Sequence, residues 1–312
     1  MLLTPRRRLF LTLVLTCSAV ASNVLAAADP SKIIEPARCD QDDAKVETRL
    51  SADVLVNARG PYKFIVDSSA DSSAVGLRIA RDLQLPLGRP VILNGMTSRE
   101  VIDRVKVTEL TIGPTTIRNL QLPALRERDL GGDGLLGIDA LARQRLMMDF
   151  ETHLVTVEDA RKPVIPTPGE VVIAAKRQRG QLVLTEVRAA GFPLEAVIHT
   201  GSEITVGNLA LRDRLRGDHT RIETVDVVGV TGETVKMQLA RIDELQLGPV
   251  LLRDVPVAFA DAPPFAKWGL SDRPALLMGT DLMSRFGWVS LDFREAKIRF
   301  QPRRCAAQKI SE

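Results

Sequence analysis

The chain has 312 residues, 45% hydrophobic, 4% aromatic and 26% charged, with a formal net charge of +3. That excess equals Arg6, Arg7 and Arg8, which lie in a segment that reads as a removable leader; the remainder is neutral and poor in aromatics, which excludes a basic nucleic-acid surface. The length suits one large or two ordinary domains.

The three arginines precede an apolar run, Leu9, Phe10, Leu11, Leu13, Val14 and Leu15, and then Ala/Ser-rich sequence. A membrane-spanning helix needs about 20 apolar residues, so this run predicts a signal peptide over residues 1–26 and no stable membrane anchor. Arg7-Arg8-Leu9-Phe10-Leu11 also has the form of a twin-arginine signal, with general secretion the expected route. The expected location is periplasmic or secreted. Cys17 leaves with the leader, and the even pair Cys39 and Cys305 then suggests one disulfide in an oxidising compartment.

Beyond a 27–48 extension the chain repeats itself. Pro61 to Ser69 aligns without gaps on Pro193 to Gly201, and Leu110-Thr111-Ile112-Gly113-Pro114 is echoed by Leu245-Gln246-Leu247-Gly248-Pro249. Leu135 to Leu141 returns as Leu277 to Met283, and Met148-Asp149-Phe150 as Leu291-Asp292-Phe293. The order divides the chain into a first lobe over 49–160, a proline-rich linker over 161–170, a second lobe over 171–302 and a 303–312 tail. The largest insertion in the second copy surrounds Pro263 to Gly269.

Val54-Leu55-Val56 and Phe64-Ile65-Val66 flank a turn-rich break at Asn57 to Pro61, which predicts a hairpin. Leu154 to Val157 and Ile298 to Phe300 are also strand-like, whereas helical periodicity is confined to Ala74 to Leu85 and Leu209 to Leu215. The predicted class is all-β with a few short helices.

Each apolar strand at the head of a copy runs into a polar triplet, Asp67-Ser68-Ser69 followed by Ala70, and His199-Thr200-Gly201 followed by Ser202. A strand end fixes a side chain, while a hydroxyl and small residues let two such loops approach. With these residues and the later Leu135-Leu136-Gly137 and Leu277-Met278-Gly279, the chain resembles the retropepsin-like aspartic peptidases in a bilobed, pepsin-like tandem. The resemblance covers roughly Leu50 to Phe300. It implies a two-lobed acid-protease fold of two homologous β-barrel-like lobes, and a facing pair that activates water for polypeptide hydrolysis.

The family's pair is two carboxylates sharing a proton. Here the pair is Asp67 and His199, and Ser69 stands where the family has glycine. Opposite charges stabilise each other, so residue type alone predicts a charged pair, carboxylate with imidazolium. Two readings follow: an aspartic-type endopeptidase in which Asp67 activates water opposite His199, or an inactive pseudopeptidase that binds polypeptide in the inherited cleft. Glycine-bearing flaps are expected at Gly95 and Met96 and at Gly229 and Gly232. The covalent tandem predicts a monomer.

No cofactor or metal is expected, because His153, His199 and His219 lack metal-ligand spacing, and no Lys-Ser/Thr follows Gly131-Gly132-Asp133-Gly134 as a phosphate loop requires. Gly201-Ser202-Glu203 lacks the glycine that precedes a nucleophile-elbow serine. Asp149 and Asp292 read as turn or strand-edge acids, and Asp139 and Asp281 as local caps.

Overall fold

The structure, a computed structural model, describes residues 33–36, 49–95, 99–215, 223–229 and 231–303. The expected leader, Met96, Cys39 and Cys305 lie outside the described residues.

The first copy contains β1 (Ser51–Val56), β2 (Arg59–Val66), β3 (Ala74–Gly76), α1 (Leu77–Asp82), β4 (Val91–Asn94), β5 (Arg99–Ile102), β6 (Arg104–Ile112), β7 (Thr115–Leu125), α2 (Glu127–Leu130), β8 (Gly134–Leu136), α3 (Ile138–Leu141), β9 (Gln144–Asp149) and β10 (Leu154–Asp159). The second has β11 (Val171–Gln178), β12 (Gln181–Ala189), β13 (Phe192–Ile198), β14 (Val206–Gly207), α4 (Leu209–Leu215), β15 (Glu223–Val228), β16 (Thr234–Leu247), β17 (Val250–Phe259), α5 (Pro263–Lys267), β18 (Ala275–Met278), α6 (Thr280–Met283), β19 (Phe286–Asp292) and β20 (Lys297–Pro302). Among the described residues the protein is mostly β, and no helix is long and apolar enough to cross a membrane.

In β1, alternation sends Ala52, Val54 and Val56 inward, as a strand with one buried face requires. The predicted hairpin joins β1 to β2 around Asn57 and Ala58. The strand order β1-β2-β8-β3-β7-β6 closes a barrel. The second copy repeats that order as β12-β13-β18-β14-β17-β16, and antiparallel pairing of Val187 with Leu247 closes the ring from β12 to β16. The insertion at Pro263 to Gly269 is α5 and its exit turn.

The helix expected from Ala74 begins only at Leu77. Ala74 to Gly76 is instead strand β3, slotted between β8 and β7 and buried throughout, because a short apolar run with neighbours on both sides gains ladder hydrogen bonds as a strand. Leu209 to Leu215 is helical as predicted.

The copies are joined by a shared sheet, β10-β9-β19-β20-β11. Its central antiparallel pair sets Leu146 opposite Leu291 and Met148 opposite Val289; the repeat matches Leu146 with Val289 and Met148 with Leu291, so a pseudo-two-fold through the pair exchanges these two contacts. Beside that axis Arg145 of β9 meets Asp292 of β19 at 3.2 Å, their side chains 7% and 3% exposed. Asp292 also accepts from the Arg294 and Glu295 amides. It is therefore more than the turn acid the sequence suggested, whereas among the described residues Asp149 accepts from the turn amides of Glu151 and Thr152. One apolar core runs through both barrels and this sheet, from Leu50 to Phe300. Ile34, upstream of the first lobe, bridges to Val250 of the second.

Candidate active site

The two polar triplets meet at the barrel junction, each at the end of a fully buried strand segment: Phe64-Ile65-Val66 before Asp67, and Ala196-Val197-Ile198 before His199. The Asp67 amide donates to the Leu136 carbonyl and the His199 amide to that of Met278, both at 2.9 Å. Each loop is backed by the apolar-apolar-Gly element of its own copy. A Cβ on Gly137 would lie 2.5 Å from the Ser72 carbonyl carbon, and one on Gly279 the same distance from that of Ile204, so only glycine permits this approach.

Asp139 and Asp281 are not the local caps expected from sequence. Asp139 Oδ1 accepts from both the amide and hydroxyl of Ser73, each at 2.8 Å, and Asp281 accepts from the amide and hydroxyl of Thr205 at 3.0 and 2.6 Å. Each clamps the end of the polar loop to the helix behind it. Burial pushes the Asp139 carboxyl up and the Asp281 carboxyl up to about 6, outweighing the hydrogen bonds that favour the ionised forms.

The loops hold each other by reciprocal hydrogen bonds. Ser68 donates its amide to Thr200 Oγ1 at 2.9 Å and its hydroxyl to the Ile198 carbonyl at 2.8 Å. Thr200 donates its amide to Ser68 Oγ at 3.2 Å and its hydroxyl to the Val66 carbonyl at 2.6 Å. Both residues are buried, so each hydroxyl is satisfied only by the opposite lobe.

This frame brings Asp67 Oδ1 to 3.8 Å from His199 Nε2, a separation beyond a direct hydrogen bond. The residues are 7% and 4% exposed. Burial pushes the imidazole below its ordinary value, and attraction to Asp67 offsets this only in part. Desolvation penalises the imidazolium and so works against the charged pair expected from residue type. Nδ1 of His199 is buried and has no hydrogen-bond partner among the described residues.

The third positions of the triplets differ for a steric reason on one side only. A Cβ on Gly201 would overlap the Asp67 carboxyl, so that glycine is required by its neighbour. Ser69 instead donates its amide and hydroxyl to Asp67 Oδ1 at 2.8 and 2.7 Å. Ala70 and Ser202 close equivalent turns, their amides facing the carbonyls of Asp67 and His199 and their carbonyls receiving the Ile138 and Thr280 amides.

Sequence reasoning missed the ring of contacts outside the triplets. Arg49 reaches Glu203 across the junction at 3.2 Å, and Gln181, which matches Arg49 in the repeat, donates to the Ser69 carbonyl at 3.2 Å. Asp71, which matches Glu203, pairs with Lys267 of the inserted α5. The signal was present: the gap-free alignment places Asp71 and Glu203 four residues after Asp67 and His199. Hairpins stand at both expected flaps. Gly95 follows β4 in the β4–β5 hairpin, while Gly229 and Gly232 form the β15–β16 turn, whose Thr231 carbonyl accepts from Arg126 of the first lobe at 2.9 Å. Among the described residues no three His, Cys, Asp or Glu side chains converge as a metal site.

Residues 52–143 match the family model described as "gag-polyprotein putative aspartyl protease", and residues 185–282 match that described as "Aspartyl protease". No curated protein matches the chain significantly.

Proposed function

Since the chain belongs to the retropepsin-like aspartyl proteases, with two such domains in tandem over 52–143 and 185–282, we propose that it is a peptidase acting on extended polypeptide through Asp67 and His199. The observation that carries this reading is a buried imidazole, pushed below its ordinary value by burial, facing Asp67 inside an intact cross-lobe frame. A carboxylate with a neutral imidazole carries one negative charge and one N–H proton. A carboxylate with a carboxylic acid carries the same charge and one O–H proton, so a His199 kept neutral by burial would match the charge state of the family's dyad.

In the proposed reaction Asp67 takes a proton from water as its oxygen bonds to the scissile carbonyl carbon. The carbonyl oxygen, gaining charge, accepts a hydrogen bond from His199 Nε2–H, an electrophilic role suited to neutral imidazole. When the C–N bond breaks, the proton held by Asp67 passes to the leaving amine. The hairpins at Gly95 and at Gly229 and Gly232 flank an extended substrate and offer it strand-like pairing. The leader-like Arg6 to Leu15 supports export to the periplasm or the exterior, and the covalent tandem supports a monomer.

A second reading, a protein that holds polypeptide without cutting it, is favoured by the 3.8 Å gap between Asp67 and His199. The two are separated by incubating the protein lacking residues 1–26 with an unfolded polypeptide from acid to neutral pH. The peptidase reading expects cleavage by wild type and none by Asp67→Asn. An inert wild type beside an active His199→Asp variant establishes the second reading.

A further inference from the structure

Asp67 needs a fixed carboxylate to act on water, and its dyad partner does not fix it, since His199 Nε2 is 3.8 Å from Oδ1. Among the described residues, the two hydrogen bonds that orient this carboxylate come from Ser69, whose amide and hydroxyl both reach Oδ1. Ser69 is held in turn from the opposite lobe, where Gln181, almost wholly buried on β12, donates Nε2 to the Ser69 carbonyl. Gln181 Oε1 is buried without a partner among the described residues, so the amide is kept at a cost that an apolar side chain would avoid.

The same places in the other copy are filled differently. Position 201 is glycine, and Arg49, which matches Gln181, bonds to Glu203 and to the Leu130 carbonyl.

We infer that Ser69 and Gln181 are positioning residues: Ser69 orients Asp67 through its hydroxyl in place of the dyad partner, and Gln181 anchors Ser69 across the lobe junction. This rests on the peptidase reading of the same site. The other titratable groups on elements packed around the loop are His199 opposite, Asp139 on α3 behind it, and Asp71 with Lys267 at its far end.

The test compares Ser69→Ala, Ser69→Thr and Gln181→Leu with wild type. Loss of a hydrogen bond to a charged group predicts a fall in kcat/KM of about tenfold or more for Ser69→Ala. That loss should be carried by kcat, with KM little changed and the acid limb of the pH profile moved to higher pH, because a carboxylate that loses a donor holds its proton longer. Ser69→Thr, which keeps the hydroxyl, should restore the profile, and Gln181→Leu should shift it in the same sense by less. A Ser69→Ala profile superimposable on wild type overturns the role of Ser69, and an unshifted Gln181→Leu overturns that of Gln181. Carboxyl-carbon NMR of Asp67, assigned by its absence in Asp67→Asn, reads the same displacement without turnover. A wild type that does not cleave but whose Asp67 signal is displaced by Ser69→Ala therefore contradicts the peptidase reading and upholds the positioning one. An Asp67 signal unmoved by Ser69→Ala contradicts the positioning inference whether or not the protein cleaves.

Discussion

The loop from Asp67 to Ala70 and the loop from His199 to Ser202 occupy the same frame and fill it differently. Each follows a buried strand, rests on a carbonyl of the apolar-apolar-Gly element, is clamped behind by an aspartate and donates a hydroxyl to the opposite strand. At the first positions, however, a carboxylate faces an imidazole. At the third, a glycine pressed on the carboxylate faces a serine bonded to it. Frame and filling are thus separable: the frame depends on residues that satisfy one another's backbone, while the filling sets the charge and proton content of the site.

The largest effect is expected from breaking the frame where the copies join. Arg145→Leu leaves the buried Asp292 without its arginine partner and should cost about 3–5 kcal/mol, with Arg145→Leu/Asp292→Leu recovering much of it; urea unfolding measures both. Two groups of the second copy should also answer pH in opposite senses. The stability Asp281 supplies when protonated is complete below its ordinary 3.8 and is lost as pH rises through about 6, a span worth roughly 3 kcal/mol. His199 behaves inversely: its neutral form is favoured by the fold, so its contribution is present above the ordinary 6.5 and is lost as pH falls. Urea midpoints across this range should lose their acid-side gain in Asp281→Asn and their acid-side loss in His199→Gln.

The third positions sharpen the contrast within the site. Gly201→Ala drives a methyl into the Asp67 carboxyl and should destabilise by about 1–3 kcal/mol, whereas Ser69→Gly, which removes a half-buried hydroxyl, should cost about 1 kcal/mol or less by the same assay. The smallest effect is expected at the rim. Lys267→Ala removes a partly exposed pairing with Asp71 and should change stability by less than about 1 kcal/mol, measurable against the same unfolding curves.

The frame was largely legible in the sequence because its parts recur in order: the strand ends at Val66 and Ile198, the triplets, and Gly137 and Gly279. What escaped depended on contacts between distant segments. Asp139 and Asp281 looked like local caps because their partners Ser73 and Thr205 stand in another part of the repeat. Ala74 to Gly76 read as helix because an apolar tripeptide does not reveal the strands on either side of it. The shared sheet was hidden because β9 finds its partner β19 in the other copy. The burial that opposes a charged Asp67–His199 pair was not legible, because residue type gives the attraction between two groups but not how far both are withdrawn from water.

The protonation state of His199 bears most directly on this account. Nitrogen-15 NMR of the imidazoles, with the three histidines assigned by substitution, reports it across pH in the intact protein. A His199 that stays neutral at pH values where exposed histidines have gained their proton is the predicted result; a His199 already imidazolium at neutral pH would contradict the account, leaving the pair with no net charge and no resemblance to a singly protonated dyad.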